Sequence, residues 1–179
     1  MLSLEPLGLD SVMLDEARAY LRVDATGDDP SLTTAMLAAV GHAENFTRTT
    51  LLQRTVREMM SAGTGWQTLR AVPVQTVTSA TGIPAEGPRF AMTADAWEAK
   101  ISSRGDAYVR IFRPGIAGRV EVACVAGLVT EWADLPEVLR LGVLRLTAHY
   151  YAHRDAAVDA GPPAAARALL LPWRRMRLA

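Results

Sequence analysis

Arg119-Val-Glu-Val-Ala-Cys-Val125 closes the series of segments that decides the fold class of this 179-residue chain. In these segments apolar residues alternate with polar ones, and Gly, Pro, Asp or Ser separates one segment from the next, as is typical of antiparallel strands. The predicted strands are residues 55–60, 66–72, 74–77, 97–101, 108–112 and 119–125. Together they predict an antiparallel β module over about 53–127, in which the connection 82–89 is expected to be a loop.

Outside this module the apolar residues recur at intervals of three and four, which predicts helices near 13–23, 30–48, 134–155 and 164–171. Asp29 is expected to cap the second helix, with Pro30 at its first position, and Asp134 is expected to cap the third. Gly41 is expected to permit close approach of a neighbouring helix. The predicted fold class is therefore α+β, a helical core with an inserted β module.

Composition excludes several classes of protein. Half of the residues are hydrophobic and the formal net charge is zero, so neither disorder nor a general affinity for nucleic acid is expected. Cys124 lies in an apolar run and is predicted to be a small buried residue. The sequence shows neither a secretory signal pattern nor an apolar run of about 18 residues. The chain is expected in the cytoplasm, unless it leaves inside a larger assembly.

The residues that could perform chemistry do not form a recognisable site. Asp24, Asp28 and Asp29 share an acidic loop, but the alternating ligands and distal glutamate of a calcium loop are missing. His149 and His153 have the spacing that zinc sites use, without a glutamate between them to act as a base. Nucleophile elbows and phosphate-binding glycine loops are also missing. We therefore expect no enzymatic activity, no cofactor and no bound metal.

The charges are distributed unevenly along the chain. Residues 1–30 hold seven acids against Arg18 and Arg22, whereas residues 161–179 hold arginines and no acid. This asymmetry suits head-to-tail contacts between identical subunits, and a solvated acidic face is the alternative.

The last residues combine apolar and basic side chains: Leu170, Leu171, Pro172, Trp173, Arg174, Arg175, Met176, Arg177 and Leu178. Burial of Trp173 alone would remove roughly 150–250 Å² from water, which is on the order of 4–6 kcal/mol before ordering costs. This segment is therefore predicted to dock, either on its own core or on another protein.

The order of short motifs resembles one protein family. The motifs are Leu14-Asp-Glu-Ala-Arg-Ala-Tyr-Leu-Arg-Val-Asp24, Asp28-Asp-Pro-Ser-Leu-Thr33, Ala43-Glu-Asn-Phe-Thr-Arg48, Leu52-Gln-Arg-Thr55, Pro73-Val-Gln-Thr-Val-Thr-Ser79, Ala126-Gly127 ahead of Leu135-Pro136, Ala148-His-Tyr-Tyr-Ala-His-Arg154 and Leu171-Pro-Trp-Arg-Arg-Met-Arg-Leu178. In this order they are similar to the head–tail connector, or head-completion adaptor, proteins of long-tailed bacteriophages and related gene transfer agents. The resemblance covers nearly the whole chain and is weakest over 82–95.

The resemblance implies a structural protein without catalytic activity. Such proteins form a ring, typically of twelve copies, beneath the portal, where it extends the DNA channel without sequence-specific binding and presents a platform to a downstream stopper or tail protein. It further implies that residues 1–160 form one connector domain with the β insertion 53–127, and that residues 161–179 form a tail that grips the portal. In such a ring Asp24, Asp28 and Asp29 would contact the neighbouring subunit or face the channel. The expected location is the neck of a phage-like particle that is assembled in the bacterial cytoplasm.

Two other functions remain open at this point. A stopper or tail-terminator protein would belong to the same assembly, but it would have a dominant β-barrel, which the terminal helices disfavour. An adaptor that uses its arginine tail on DNA would bind with a steep dependence on salt.

Overall fold

The computed structural model describes residues 2–23, 28–153 and 162–176. The chain divides into two compact units. Among the described residues, the β unit contains residues 2–6 and Leu52–Leu128. The helical unit contains Leu7–Leu51 and the residues from 129 to 176. The mixed α+β class is confirmed, because the first unit is built from antiparallel sheets and the second from helices.

The β unit consists of two antiparallel sheets. The larger has the order β1-β2-β8-β4-β5, formed by Leu2–Leu4, Arg54–Ser61, Ala117–Ala126, Val74–Pro84 and Phe90–Ala91 respectively. The smaller has the order β3-β7-β6, formed by Gln67–Thr68, Ala107–Ile111 and Trp97–Ile101.

Strand β8 is the centre of the larger sheet. It pairs with β2 from Arg54↔Ala126 to Ser61↔Arg119 and with β4 along its other edge. Val120, Val122 and Cys124 are fully buried, because alternate residues of a strand face the same side of the sheet. Just beyond β8, Gly127 has a φ of 150° and approaches the backbone so closely that a Cβ would lie 2.4 Å from the Gln53 nitrogen. A residue with a side chain would not fit there.

The helical unit contains α1 (Ser11–Leu21), α2 (Asp29–Thr47), α3 (Glu137–Ala152) and α4 (Ala164–Leu170), with short 3₁₀ helices at Trp132–Asp134 and Leu171–Trp173. Helix α2 packs against α3, and α3 packs against α4. The residues of α2 and α3 that form this core share helical spacing: Leu32, Met36, Ala39, Val40, Ala43, Leu139, Val143 and Leu146. Phe46 and Tyr150 continue this spacing but are only half-buried.

A buried tryptophan ties α1 to the segment before α3. Trp132 is 1% exposed, and its Nε1 donates a 2.6 Å hydrogen bond to Oε2 of Glu16. Nε of Arg140 lies 3.6 Å from the other carboxylate oxygen of Glu16. Bonds to a charged acceptor are stronger than neutral ones, so this contact fixes the position of α1.

Several predicted boundaries were wrong. The first helix begins at Ser11 because Asp10 caps it, its Oδ1 accepting a 2.7 Å bond from the nitrogen of Met13. Helix α2 begins at Asp29 rather than after it, and Asp28 precedes it without a side-chain cap. Asp134 lies in a 3₁₀ turn, since α3 starts only at Glu137. The predicted third helix extends to 155, of which residues 154 and 155 lie outside the described ones.

The strand predictions also need correction. Residues 66–72 contain only the two-residue strand β3, and β4 continues from residue 77 to Pro84, into the connection expected as a loop. Phe90 of β5 packs over Gly82, whose missing side chain leaves room for the ring: a Cβ there would lie 2.4 Å from the Phe90 Cζ. Strand β1 was not predicted, and it pairs Leu2–Leu4 with residues of β2.

Candidate functional site

The C-terminal segment begins as part of the core of the helical unit. Ala166 is fully buried and Leu170 is 1% exposed. Leu170 packs over Gly142 of α3, where a Cβ would lie 2.9 Å from the Leu170 Cδ2. Gly142 thus permits the close approach of two helices, the role that the sequence suggested for Gly41. At Gly41 a Cβ would meet nothing within 4 Å.

After α4 the chain crosses the end of α2. The backbone nitrogen of Arg175 donates a 2.9 Å bond to the carbonyl oxygen of Thr47, one of the last carbonyl groups of that helix. The last carbonyls of a helix have no partner within it, so this bond satisfies one of them. The guanidinium of Arg174 lies 5.5 Å from the ring centroid of Phe46, within the range of a cation–π contact.

The side chains beyond α4 are largely left in solvent. Leu171 is 52% exposed and Met176 is 88% exposed, while Trp173 is half-buried. The predicted docking residues therefore divide into Leu170, which belongs to the core of its own unit, and an exposed set that starts at Leu171. Arg177 and Leu178 lie outside the described residues.

The acids that were predicted to contact a neighbour have partners inside the unit. Arg18 donates two bonds to Asp29, Nε to Oδ1 at 3.0 Å and Nη2 to Oδ2 at 2.8 Å. This hydrogen bonding raises the pKa of Arg18, with the charge of Asp29 acting in the same direction. The hydroxyl of Tyr151 donates to Asp28. Asp24 lies outside the described residues.

Charge separates the tail from the rest of the helical unit. Residues 7–51 and 129–163 contain twelve acidic and six basic residues, whereas residues 164–179 contain four arginines and no acid. The body of this unit is therefore acidic and its C-terminal segment is basic, which agrees with the asymmetry noted in the sequence.

The histidines make contacts with each other and with tyrosine. The rings of His149 and His153 lie 4.6 Å apart between centroids, and Nδ1 of His153 is 2.9 Å from the carbonyl oxygen of His149. His42 Nδ1 lies 2.9 Å from the hydroxyl oxygen of Tyr150. Within residues 2–23, 28–153 and 162–176, no three His, Cys, Asp or Glu side chains come together as metal ligands would.

Two further features bear on function. Burial raises the pKa of the Cys124 thiol to about 11, with the charge of Glu58 adding to the shift. This thiol is therefore protonated and unreactive at neutral pH. In the part of the chain that the structure describes, every helix is too short or too polar to cross a bilayer.

The whole chain is similar to chains in solved gene transfer agent particles. A chain from the neck of an empty particle, computed with C6 symmetry, is 27% identical with a TM-score of 0.78. Chains from the virion of a native particle and from a native neck computed with C12 symmetry are each 29% identical with a TM-score of 0.75. In all three cases the match covers 100% of this chain and 97% of the other. The sequence matches no protein-family model and no curated protein.

This agreement confirms the resemblance on which the sequence interpretation rested. It spans both the β unit and the helical unit, and it extends to nearly the full length of the similar chains. Those chains belong to structural assemblies with rotational symmetry.

Proposed function

We propose that this chain is a structural neck protein of a gene transfer agent or phage-like particle, where copies of it form a ring that joins head to tail. The observation that carries the proposal is the full-length similarity to chains of particle necks. Twelve copies is the number that C12 symmetry of a similar neck favours. The protein performs no catalysis in this role and acts inside the particle, after assembly in the bacterial cytoplasm.

The partner on the head side is the portal, and the C-terminal segment docks on it. Leu171 and Met176 present apolar surface that nothing covers among the described residues, and the arginines beside them supply positive charge. Apolar anchors flanked by arginine are typical of the energetic centres of protein interfaces. Leu170 stays in the core of its own subunit, so the docking part begins at Leu171.

The ring extends the channel through which DNA moves. The helical unit without its tail carries twice as many acids as bases. A surface of this charge repels phosphates, so DNA slides past without the counterion release that would hold it in place. The other face of the ring receives the downstream stopper or tail protein.

The test is negative-stain electron microscopy of purified portal-bearing heads mixed with the purified chain. Full-length protein should add an annular layer at the portal, and a 1–170 truncation should not, although it keeps Leu170 and therefore its fold. A Pro6→Ser variant, changed in the β unit, serves as the matched control and should bind as the full chain does. If the full-length chain adds no layer to intact heads, the proposal is wrong.

A salt series on the same mixture separates protein docking from DNA binding. Attachment through apolar anchors should persist as ionic strength rises, whereas binding of DNA by three or four arginines should weaken steeply. Binding that disappears with salt, and reappears on naked DNA at low salt, would favour the DNA-binding alternative.

A further inference from the structure

The outer face of the small sheet carries a cluster of aromatic and charged side chains. We call it the aromatic patch, formed by Trp66, Glu98, Lys100, Tyr108, Arg110 and Phe112. Tyr108 and Arg110 of β7, and Phe112 directly after it, alternate with the buried Val109 and Ile111, so their side chains point to the same, outer side. Residues 98 and 100 of β6 lie directly opposite 110 and 108.

Arg110 is the centre of the aromatic patch. Its guanidinium lies 4.8 Å from the ring centroid of Trp66 and 4.4 Å from that of Phe112. It also donates to Oε2 of Glu98, from Nε at 3.3 Å and from Nη2 at 3.0 Å. These contacts hold the arginine and both rings in one arrangement, so a partner would bind a surface that is already ordered.

The aromatic patch nevertheless remains open to solvent. Trp66 is 40% exposed, Tyr108 39% and Phe112 42%. Exposed Trp, Tyr and Arg together are the residue types enriched in protein–protein contacts. Lys100 Nζ lies 3.5 Å from Oε1 of Glu98, the carboxylate that also accepts from Arg110. The two cations therefore share one acid, and the aromatic patch keeps a net charge of +1.

A surface of opposite charge lies at the start of α3. The acidic strip consists of Glu131, Asp134, Glu137 and Val138, all exposed, with Val138 at 45%. Within the described residues, the three carboxylates make no side-chain hydrogen bond or ion pair. An apolar side chain flanked by three unpaired acids is complementary to aromatic rings flanked by Lys100 and Arg110.

The two units as wholes show the same complementarity. The β unit contains nine basic and seven acidic residues, and the helical unit contains ten basic and twelve acidic residues. A ring with cyclic symmetry requires two different surfaces on each copy, because each subunit contacts its neighbours head to tail. A basic surface on one unit and an acidic surface on the other meet this requirement.

We propose that the aromatic patch of one copy binds the acidic strip of the next copy, and that this contact closes the ring. The inference rests on the proposed function, since it assumes a cyclic assembly. Lys100 then faces the carboxylates of the neighbour, while Tyr108 and Phe112 cover its Val138.

Cross-linking in assembled necks tests this contact directly. The variant carries Tyr108→Cys together with Val138→Cys, and it is added in full length to purified heads before treatment with a short bis-maleimide. The native Cys124 is buried, so it does not compete for the reagent. A head-to-tail contact should produce a ladder of covalent oligomers on a denaturing gel that ends in a closed ring.

Two controls define the outcomes. Tyr108→Cys with Asn45→Cys, whose second site is exposed on α2 outside the acidic strip, should give no ladder. Tyr108→Cys alone should remain monomeric, and dimers from it would overturn the proposal by showing that aromatic patches meet each other. A ladder from the Asn45 pair as strong as that from the Val138 pair would also overturn it.

Charge reversal provides a second measurement. Lys100→Glu should lower the fraction of heads that carry a complete ring at least tenfold, and Glu137→Lys in the same chain should restore it. Heads that carry the ring normally with Lys100→Glu, and give no ladder with the cysteine pair, would defeat this inference and leave the proposed function intact. Failure of the unaltered chain to join heads would defeat both. Quenching of tryptophan fluorescence by a single-stranded oligonucleotide at physiological salt, if it is lost in a Trp66→Phe variant, would replace the protein partner with nucleic acid.

Discussion

Leu170 and Leu171 are adjacent in sequence, and their environments in the structure are opposite. Leu170 is 1% exposed against Gly142, while Leu171 is 52% exposed. We therefore predict that Leu170→Ala destabilises the protein strongly and that Leu171→Ala, the matched control, changes its stability by less than about 0.5 kcal/mol. If the proposed docking on the portal is correct, Leu171→Ala should weaken portal binding more than Leu170→Ala does, because only Leu171 is exposed.

The size of the effect follows from the local packing. Leucine-to-alanine changes in cores cost about 2–5 kcal/mol, depending on how far the cavity can collapse. Gly142 has no side chain to move into the vacated space, which favours a large loss, but α4 is only seven residues long and can shift. We expect about 3 kcal/mol. Gly142→Ala should recover about 1–2 kcal/mol in the Leu170→Ala background, where its methyl group and better helix propensity both help.

The same Gly142→Ala change should bring no such gain in the unaltered protein, since its Cβ would lie 2.9 Å from the Leu170 Cδ2. The assay is urea unfolding of the full-length chain, monitored by far-UV circular dichroism. The unaltered protein, Leu170→Ala, Gly142→Ala and the double variant form a double-mutant cycle. Equal unfolding midpoints for the two leucine variants would refute the reasoning. They would mean that residues 164–176 form one free arm.

Two further predictions concern the interior of each unit. Trp132→Phe should lower the free energy of unfolding by about 2–3 kcal/mol, because it removes the N–H that bonds to the Glu16 carboxylate and bonds to charged groups contribute about 1.5–3 kcal/mol. Urea unfolding measures this loss. As the control, Trp66→Phe at an exposed position should lower the free energy of unfolding by less than about 1 kcal/mol. Cys124 should react with a thiol reagent at pH 8 only after unfolding. Because the pKa of its thiol is higher in the folded state, the stability that the protonated thiol contributes should be complete below about pH 9 and lost as pH rises to about 11. Cys124→Ala should remove this part of the pH dependence, and an unchanged slope would contradict the assignment.

Much of the fold could be predicted from local sequence patterns. The alternation in residues 119–125 predicted β8, and strand β6 occupies the predicted residues 97–101. The helical stripes predicted most of the α2–α3 core, because burial on one face imposes a repeat of three or four residues. Such patterns are local, so they carry information about an element but little about its partners.

The elements that were missed depend on contacts outside their own residues. Strand β1 has three residues, too few for a recognisable alternation, and it exists because β2 offers it an edge to pair with. The extension of β4 through Gly82 depends on the ring of Phe90, which fills the space that the glycine leaves.

The cap at Asp10 could have been predicted from the sequence, since an aspartate directly before an apolar helical stripe is a typical start signal.

The candidate site shows the same limit. Composition predicted that residues 170–178 would dock, but the choice between the core and a partner could not be made from composition. The buried position of Leu170 depends on Gly142, 28 positions earlier in the numbering. The aromatic patch was missed for a related reason: Trp66 and Arg110 become neighbours only through the pairing of β3 with β7.

The division of the C-terminal segment has a consequence for the proposed grip on the portal. Fixing the backbone of a free residue costs roughly 1–2 kcal/mol, so an unstructured tail would lose much of its binding energy in becoming ordered. Here α4 packs on its own subunit, and the bond from Arg175 to Thr47 positions the chain again five residues after Leu170. The exposed Leu171 therefore lies on a short segment whose backbone is held at both ends, and Met176 directly follows the second of these anchors. In the proposed function, each copy would therefore lose little entropy on docking, and a ring of such copies would combine individually weak contacts into stable attachment.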